Sequence, residues 1–212
     1  IILEPFSKNT LPAISLAVIT ALLKNEDENF IATPSDHYIS RNKEFHNSCR
    51  IAKNNLKNPG LTLFGIKPRN STPEFGYITS SNLTKHLSKV DEFIEKPDSE
   101  KSKEIYKQKG VFWNSGIFIF NGSWFVETCK TIDRETFSEI ENLIPTNYSS
   151  KLHFLPNKSK FKKLPDLQFD KAFVEKNKKN FVTVLNAGWS DLGSWIALSN
   201  LQRDLSHEMK LF

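Results

Sequence analysis

Short apolar runs and longer amphipathic stretches alternate along the first part of the chain. Residues 1–3 are an apolar run that predicts a strand, and residues 10–23 predict a helix whose N-terminus Asn9 and Thr10 can cap. Residues 29–33 predict the next strand. The chain is therefore expected to begin with the order strand, helix, strand.

A second helix and a third strand continue this order. Within residues 42–57, apolar side chains recur at intervals of 4, 3 and 4, which is typical of an amphipathic helix. Pro59 and Gly60 end that helix, and residues 61–66 are an apolar strand. Alternating strands and helices predict an α/β fold with a doubly wound, mostly parallel sheet.

The remainder of the chain is less regular. It predicts strands at residues 75–78, 90–97, 116–120 and 181–185. It predicts helices at residues 99–109, 123–131, 134–144, 169–176 and 194–201. Residues 148–163 are rich in lysine and serine and predict a mobile connection. Because no long linker or repeat divides the chain, residues 1–212 are predicted to form one domain, and the apolar start within a strand predicts that this domain is incomplete at its N-terminus.

Composition narrows the class of protein and of partner. Among the 212 residues, 38% are hydrophobic and 12% aromatic, which is enough for a packed core and too many for a disordered chain. The net charge of +5 comes from 29 basic and 24 acidic residues dispersed along the chain, which favours a small anionic ligand. No helix-turn-helix, RNP-type or zinc-knuckle pattern is present, so we do not expect a nucleic-acid partner.

Cysteine content and hydropathy bear on the compartment. Cys49 and Cys129 are the only cysteines, which excludes a dense disulfide framework and fits a reducing compartment, so the predicted location is the cytoplasm. The longest apolar stretch, residues 11–23, is shorter than the ~20 residues that span a bilayer. We therefore expect no membrane partner.

Two carboxylates follow predicted strands. Asp36 comes shortly after residues 29–33, and Asp191 comes shortly after residues 181–185. In α/β proteins the chemistry tends to lie beyond the carboxyl ends of the strands. If these two strands are neighbours in the sheet, the two aspartates could share one divalent cation.

Several short motifs combine turn-forming and polar residues beside apolar runs. They are Glu4-Pro5, Asn9-Thr10-Leu11-Pro12, Ser35-Asp36-His37, Gly76-Tyr77-Ile78, Glu95-Lys96-Pro97, Asn114-Ser115-Gly116, Asp170 to Lys176 and Trp189-Ser190-Asp191. Singly, most have a structural explanation, as a helix cap, a surface turn or a bend beside a buried indole. Together and in this order they resemble the mannose-1-phosphate guanylyltransferase family, within the sugar-1-phosphate nucleotidyltransferases. The resemblance covers nearly the whole chain.

This resemblance implies a fold and a reaction. The fold would be a Rossmann-like nucleotide-diphospho-sugar transferase fold, with a mixed, mostly parallel sheet flanked by helices and truncated at the N-terminus. The reaction would transfer a guanylyl group from GTP to mannose 1-phosphate, giving GDP-mannose and pyrophosphate. Asp36 and Asp191 would hold the catalytic Mg²⁺, a hard cation that prefers carboxylate oxygens. Lys96 is similar to the family lysine that contacts the sugar phosphate, so the implied catalytic residues are Asp36, Lys96 and Asp191.

Further substrate contacts follow from the same resemblance. Glu95 is similar to the family acid that accepts hydrogen bonds from sugar hydroxyls, Gly76 to a glycine whose backbone approaches the sugar, and Asn114 to another sugar contact. Glu4 and Asn9 lie in the segment that resembles the part beside the nucleotide base. Glu4 could accept the N1 and N2 hydrogens of guanine, and it could equally cap the turn that follows it.

Other residues fit the pattern less well. The five histidines are scattered, so we expect a packed or surface role for His37 rather than a catalytic one.

Family members begin with a strand and a glycine-rich, arginine-bearing loop that cradles the nucleotide phosphates, and the eight glycines of this chain include no G-x-G pair. Lys8 stands where the family commonly has arginine. Activity would then require the missing loop.

These departures leave alternatives open. The missing loop could come from a complementing N-terminal fragment. The chain could also form a homo-oligomer. The chain could instead be a catalytically inactive remnant or a regulatory or binding fragment of such an enzyme. It could also belong to a nucleotidyltransferase for another sugar 1-phosphate.

Overall fold

The computed structural model describes residues 1–24, 28–56, 59–84, 86–145, 155–193 and 199. Its helices are α1 (Thr10–Leu22), α2 (Asn42–Asn55), α3 (Ser99–Tyr106), α4 (Gly122–Ile132), α5 (Arg134–Glu141) and α6 (Lys158–Lys163). A single π-helical turn, the π-turn, spans Asp170–Val174. The strands are β1 (Asn29–Ala32), β2 (Tyr38–Ile39), β3 (Leu61–Ile66), β4 (Tyr77–Thr79), β5 (Ser88–Lys89), β6 (Glu92–Ile94), β7 (Val111–Asn121), β8 (Asn180–Val184) and β9 (Trp189–Ser190).

The long strand β7 organises the main sheet because it pairs along both edges. One edge pairs antiparallel with β3, and the other pairs antiparallel with β4 near the start of β7 and with β1 near its end. Since β8 lies parallel to β3, the strands β1, β3, β4 and β8 all run in one direction, and β7 runs against them. With β5 on β8 and β6 on β4, the described residues form a seven-stranded sheet.

The predicted mixed α/β sheet flanked by helices is confirmed. Among the described ladders, however, only β3 with β8 is parallel. The reason is the reversed β7, which is inserted between strands that share one direction. The alternation of strand and helix along the sequence does not reveal this insertion.

Alternate side chains of β7 divide the core into two layers. Phe118 and Phe120 face the layer that contains α1, α4 and the π-turn, where Phe120 packs on Phe125 with ring centroids 4.9 Å apart. Ile117 and Ile119 face the opposite layer, against α2. Nearly every residue of β7 is buried, because helices cover both faces of the sheet.

Polar residues set where helices begin. The side chain of Asn9 accepts a hydrogen bond from the backbone N–H of Thr10, and those of Asp98 and Asn121 do the same for α3 and α4. Each bond satisfies a backbone donor that has no partner within the helix. Among the described residues, no helix combines the length and the apolar character that a bilayer span requires.

Some predicted elements differ from the structure. Residues 1–3 are not a strand, because Ile2 makes only a single bridge. The predicted mobile connection contains α6, which forms because Asn157 caps it and Phe161 is fully buried. The predicted helix at residues 194–201 lies almost wholly outside the described residues.

Candidate active site

A short ladder brings the two predicted metal-binding aspartates to one place. β2 and β9 pair antiparallel, with Tyr38 opposite Ser190. Continuing that register by one residue places His37 opposite Asp191, with Asp36 adjacent in the chain. The electrostatics agree: burial lowers the pKa of His37, and the charges of Asp36 and Asp191 both act against this shift. Both carboxylates therefore lie near enough to affect the charge of one imidazole, although they are 155 positions apart in the chain (191 − 36).

The route to this arrangement differs from the predicted one. β1 and β8, the strands that precede the two aspartates, are not neighbours, because β7 and β3 lie between them. The chain instead continues beyond both strands and forms β2 and β9. Strands of two residues are too short to show a period in the sequence, so this ladder was not predictable from apolar patterning.

The aspartate pair, Asp36 and Asp191, has oxygens available for a ligand. Asp36 is exposed and Asp191 is half-buried, and neither carboxylate accepts a hydrogen bond from the described residues. The part of the chain that the structure describes holds no group of three or more His, Cys, Asp or Glu arranged to bind a metal. Two carboxylates with the remaining positions open to water and phosphate are nevertheless a donor set that fits Mg²⁺.

His37 has a packing role in this arrangement. Its Nδ1 accepts a hydrogen bond from Nε1 of Trp189 at 3.1 Å, and the two rings meet edge to face at 5.3 Å. An imidazole nitrogen that accepts from an indole N–H must be unprotonated. The packed role predicted for His37 is thus the one that the structure shows.

A second group, the polar cluster, consists of Gly76, Glu95 and Asn114. A Cβ atom at Gly76 would lie 2.5 Å from Oε2 of Glu95 and 3.4 Å from Cβ of Asn114, so Gly76 separates the two side chains. The backbone N–H of Asn114 donates to the carbonyl of Gly76 at 2.8 Å. The structure therefore brings together three of the residues that the resemblance assigns to the sugar.

The close approach at Gly76 gives a testable expectation. In a Gly76→Ala variant the new methyl group displaces the carboxylate of Glu95, which is the free end of a flexible side chain. If the polar cluster binds the sugar phosphate that the resemblance implies, we expect roughly tenfold weaker binding of mannose 1-phosphate, with a free energy of unfolding within about 1 kcal/mol of the parent. Isothermal titration and urea unfolding measure the two quantities. Equal affinity in the variant would contradict a role for this carboxylate in binding the sugar.

The carboxyl group of Glu95 has an unusual environment. Its pKa is raised to about 7, mainly by burial and next by the carboxylate of Asp170, while the ammonium of Lys96 acts in the opposite direction. Lys96 itself is exposed and has a φ of 44°, which is rare for a residue other than glycine. A strained backbone at this position directs an exposed cation beside a half-buried acid, an arrangement that occurs at binding sites.

Two acids in and beside the π-turn contact the polar cluster. Oδ1 of Asp170 accepts a hydrogen bond from Nδ2 of Asn114 at 2.7 Å, and Oε1 of Glu175 accepts one from the backbone N–H of Glu95 at 2.9 Å. The sequence patterns gave neither acid a role. The signal that could have found them is the motif from Asp170 to Lys176, which was recognised as part of the resemblance.

Gly116 connects the polar cluster to the aspartate pair. Its backbone N–H donates to Oδ1 of Asn114 at 3.1 Å. On its other side, a Cβ atom at Gly116 would lie 3.4 Å from Pro34 and 3.8 Å from Cε1 of His37, and its φ of +70° favours glycine. Gly116 thus lies between Asn114 of the polar cluster and His37, the neighbour of the predicted metal-binding aspartates.

An open groove of ≈ 500 Å³ begins at Gly116. Thr33, Pro34, Gly116 and Asp170 line one part, and Thr10 lines another. This volume lies in the range of small-molecule sites.

The two residues predicted near the base lie towards the start of α1. The hydroxyl oxygen of Thr10 accepts from the backbone N–H of Phe169 at 2.8 Å, so Asn9 is adjacent to the segment that leads into the π-turn. Asn9 caps α1 with a φ of 65°, and Glu4 is exposed. Contacts of Glu4 and Asn9 with a nucleotide stay predictions.

Comparison with known proteins places this geometry in context. A profile of the nucleotidyl transferase family matches residues 1–208. Alginate biosynthesis protein AlgA of Pseudomonas fluorescens is 32% identical over 201 residues, which cover 93% of this chain and 42% of the relative. Mannose-1-phosphate guanylyltransferase RfbM of Salmonella typhimurium is 34% identical over 202 residues, which again cover 93% and 42%. The chain thus spans about two fifths of the length of these curated relatives.

A solved structure gives the same result for the fold. The crystal structure of mannose-6-phosphate isomerase from Helicobacter pylori superposes with a TM-score of 0.79 at 30% sequence identity, covering 89% of this chain and 73% of that one. This superposition supports the Rossmann-like α/β architecture predicted from the sequence.

Proposed function

Because the chain belongs to the nucleotidyl transferase family, we propose that it supplies the metal and sugar sites for transfer of a guanylyl group from GTP to mannose 1-phosphate, giving GDP-mannose and pyrophosphate. The observation that carries this proposal is the junction at Gly116. On one side lie Pro34 and His37, the imidazole whose pKa responds to both aspartates, and on the other lies Asn114 of the polar cluster. A metal-bound nucleotide phosphate and a sugar phosphate could therefore bind next to each other.

The names of the relatives support mannose as the sugar. The Salmonella relative is named a mannose-1-phosphate guanylyltransferase, and the Helicobacter protein is named for another mannose phosphate. The residues of the polar cluster support a sugar of this kind. Glu95 offers a hydrogen-bond acceptor, Asn114 offers a donor, and Gly76 leaves space for a ring to approach the backbone.

The reaction joins two anions, so positive charge must bring them together. A phosphate oxygen of mannose 1-phosphate attacks the α-phosphorus of GTP, and the bond from this phosphorus to the bridging oxygen breaks as pyrophosphate leaves. Lys96 is an exposed cation beside the polar cluster and would bind the sugar phosphate. Asp36 and Asp191 would hold Mg²⁺, which supplies neutralisation of phosphate charge when bound. Glu95 and Asn114 would hold the sugar so that its phosphate points towards the aspartate pair.

The direct test is product formation. The chain, supplemented with an N-terminal fragment that carries the glycine-rich loop, is incubated with GTP, mannose 1-phosphate and Mg²⁺, and GDP-mannose and pyrophosphate are measured by chromatography. Parallel reactions with UTP and with glucose 1-phosphate serve as controls for base and sugar. Binding of GDP-mannose without turnover would support a binding function in place of catalysis. Product only with UTP or only with glucose 1-phosphate would reject the proposed specificity.

The raised pKa of Glu95 predicts the pH dependence of sugar binding. Because this pKa is about 7, the carboxylate that accepts hydroxyl hydrogen bonds is mostly ionised at pH 8 and mostly protonated at pH 6. We expect the affinity for mannose 1-phosphate to fall roughly tenfold from pH 8 to pH 6. Isothermal titration across this range measures the effect. The Glu95→Gln variant is the control, since its remaining pH dependence belongs to the phosphate of the ligand; equal slopes in both proteins would contradict the prediction.

A further inference from the structure

The π-turn holds both sides of the polar cluster. Asp170, at its start, accepts from the side chain of Asn114, and Glu175, directly after it, accepts from the backbone of Glu95. The two acids are linked through the turn itself, because the N–H of Glu175 donates to the carbonyl of Asp170 at 3.0 Å. One turn of five residues therefore connects two segments that are distant in the sequence.

The widened turn explains how both acids reach the cluster. In a regular α-helix, residues five apart point in directions that differ by about 140°. In the π-turn the backbone hydrogen bond runs from residue i+5 to residue i, so the turn holds one residue more than an α-helical turn. Asp170 and Glu175 therefore lie one turn apart on the same side. Isolated π-turns of this kind occur frequently at functional sites.

The hydrogen bonds of Asn114 fix the orientation of its amide. Its Nδ2 donates to Asp170, and its Oδ1 accepts from the backbone N–H of Gly116. A reversed amide would place its oxygen against the carboxylate of Asp170 and its NH₂ group against an N–H, and both contacts are repulsive. One N–H of the amide remains for a ligand. Asp170 thereby determines that Asn114 presents a donor.

We propose that Asp170 and Glu175 are positioning residues for the sugar: Asp170 orients the amide of Asn114 as a donor, and Glu175 holds Glu95 as an acceptor beside it. This inference rests on the proposed function. The pair of groups matches two hydroxyls on neighbouring carbon atoms, of which one accepts from Asn114 and the other donates to Glu95. The ligand class is thus a sugar phosphate with adjacent free hydroxyls.

The charges around Glu95 give this inference a second readout. The π-turn and the residue after it contribute Asp170, Lys171 and Glu175, and the segment of Glu95 itself contributes Lys96. The facing residues on β7 and before β4, Asn114 and Gly76, are uncharged. Asp170 is the neighbour that raises the pKa of Glu95 most, after burial. Removing its charge should move the titration of Glu95 to lower pH.

A double-mutant cycle tests the positioning role. Asp170→Ala and Asn114→Ala are each expected to weaken binding of mannose 1-phosphate about tenfold, because each breaks the same charge-assisted hydrogen bond. The double variant should bind no worse than either single variant, since residues that act as one unit are not additive. The exposed Asp166→Asn variant, four positions before Asp170, is the matched control and should bind like the parent. Additive losses in the double variant would overturn the inference.

The isosteric Asp170→Asn variant tests the same inference in a protein that should still fold. It preserves the shape of the side chain, and its circular dichroism should match that of the parent. We expect the pH midpoint of mannose 1-phosphate binding to shift below that of the parent. A midpoint that stays unchanged would overturn the inference and leave the proposed function intact. Failure of the unaltered chain to bind mannose 1-phosphate at any pH would reject the proposed function and this inference with it.

Discussion

Replacing Asp191 by asparagine is expected to lower the rate of the proposed guanylyl transfer, measured with the missing loop supplied, roughly 10³-fold, because a metal ion that neutralises transition-state charge contributes several kcal/mol. The amide keeps the shape of the side chain and removes the charge that a hard cation requires. GDP-mannose formation at saturating Mg²⁺ measures the loss. Binding of Mn²⁺, followed by electron paramagnetic resonance, reports on the same site without turnover and should weaken at least about tenfold.

Two further variants test whether this effect is specific to the proposed metal site. Asp36→Asn should reproduce the effect, since Asp36 is the second carboxylate of the proposed metal site. Asp166→Asn, which changes an exposed acid, should leave the rate and the Mn²⁺ affinity unchanged. A near-normal rate and unchanged Mn²⁺ binding in the Asp191→Asn protein would remove this residue from the metal site.

Truncation of Phe120 to alanine should destabilise the protein by about 3–5 kcal/mol, the usual cost of removing a buried phenylalanine ring. Phe120 is fully buried on the central strand, and its ring lies 4.9 Å from that of Phe125 and 6.2 Å from that of Phe30. The variant loses the favourable free energy of moving the ring out of water on folding. It also has a cavity between β7 and α4, which costs further stability. Urea unfolding followed by far-UV circular dichroism measures it.

An exposed apolar residue provides the comparison. Leu83 has 54% of its surface exposed, so Leu83→Ala should change the free energy of unfolding by less than about 1 kcal/mol. If both variants lose the same amount of stability, Phe120 is not at the centre of the core that β7 organises.

Local chemistry made much of the fold predictable. The start of α1 follows from Asn9 as a cap, and β3 follows from the largely apolar run at residues 61–66. The end of β6 at Ile94 agrees with the position of Pro97, which cannot continue a strand. These features depend on residues close together in the chain, so the sequence alone determines them.

Long-range pairing was not predictable in the same way. The reversal of β7 and the ladder of β2 with β9 depend on contacts between residues far apart, which leave no period in the sequence. For the site, resemblance to a family identified Gly76, Glu95 and Asn114, and the structure brings these three together. The positions of Asp170 and Glu175 could only emerge from the folded chain, because a π-turn has no signature in apolar spacing.

The pairing of β7 with both β4 and β1 has a consequence for the spacing of substrates. β7 carries Asn114 next to β4, and it aligns Phe118 with Ala32 at the end of β1, from which the chain leads to Asp36. Within this interval four residue steps of β7 lie opposite only two of β3, from Gly65 to Leu63, so β7 forms a bulge whose length the pairing on β3 fixes. An insertion or deletion between Asn114 and Phe118 would therefore change the distance between the proposed sugar and cation sites even if every side chain of both sites were retained. Variation in this family should then be tolerated in the loops and selected against in this four-residue interval.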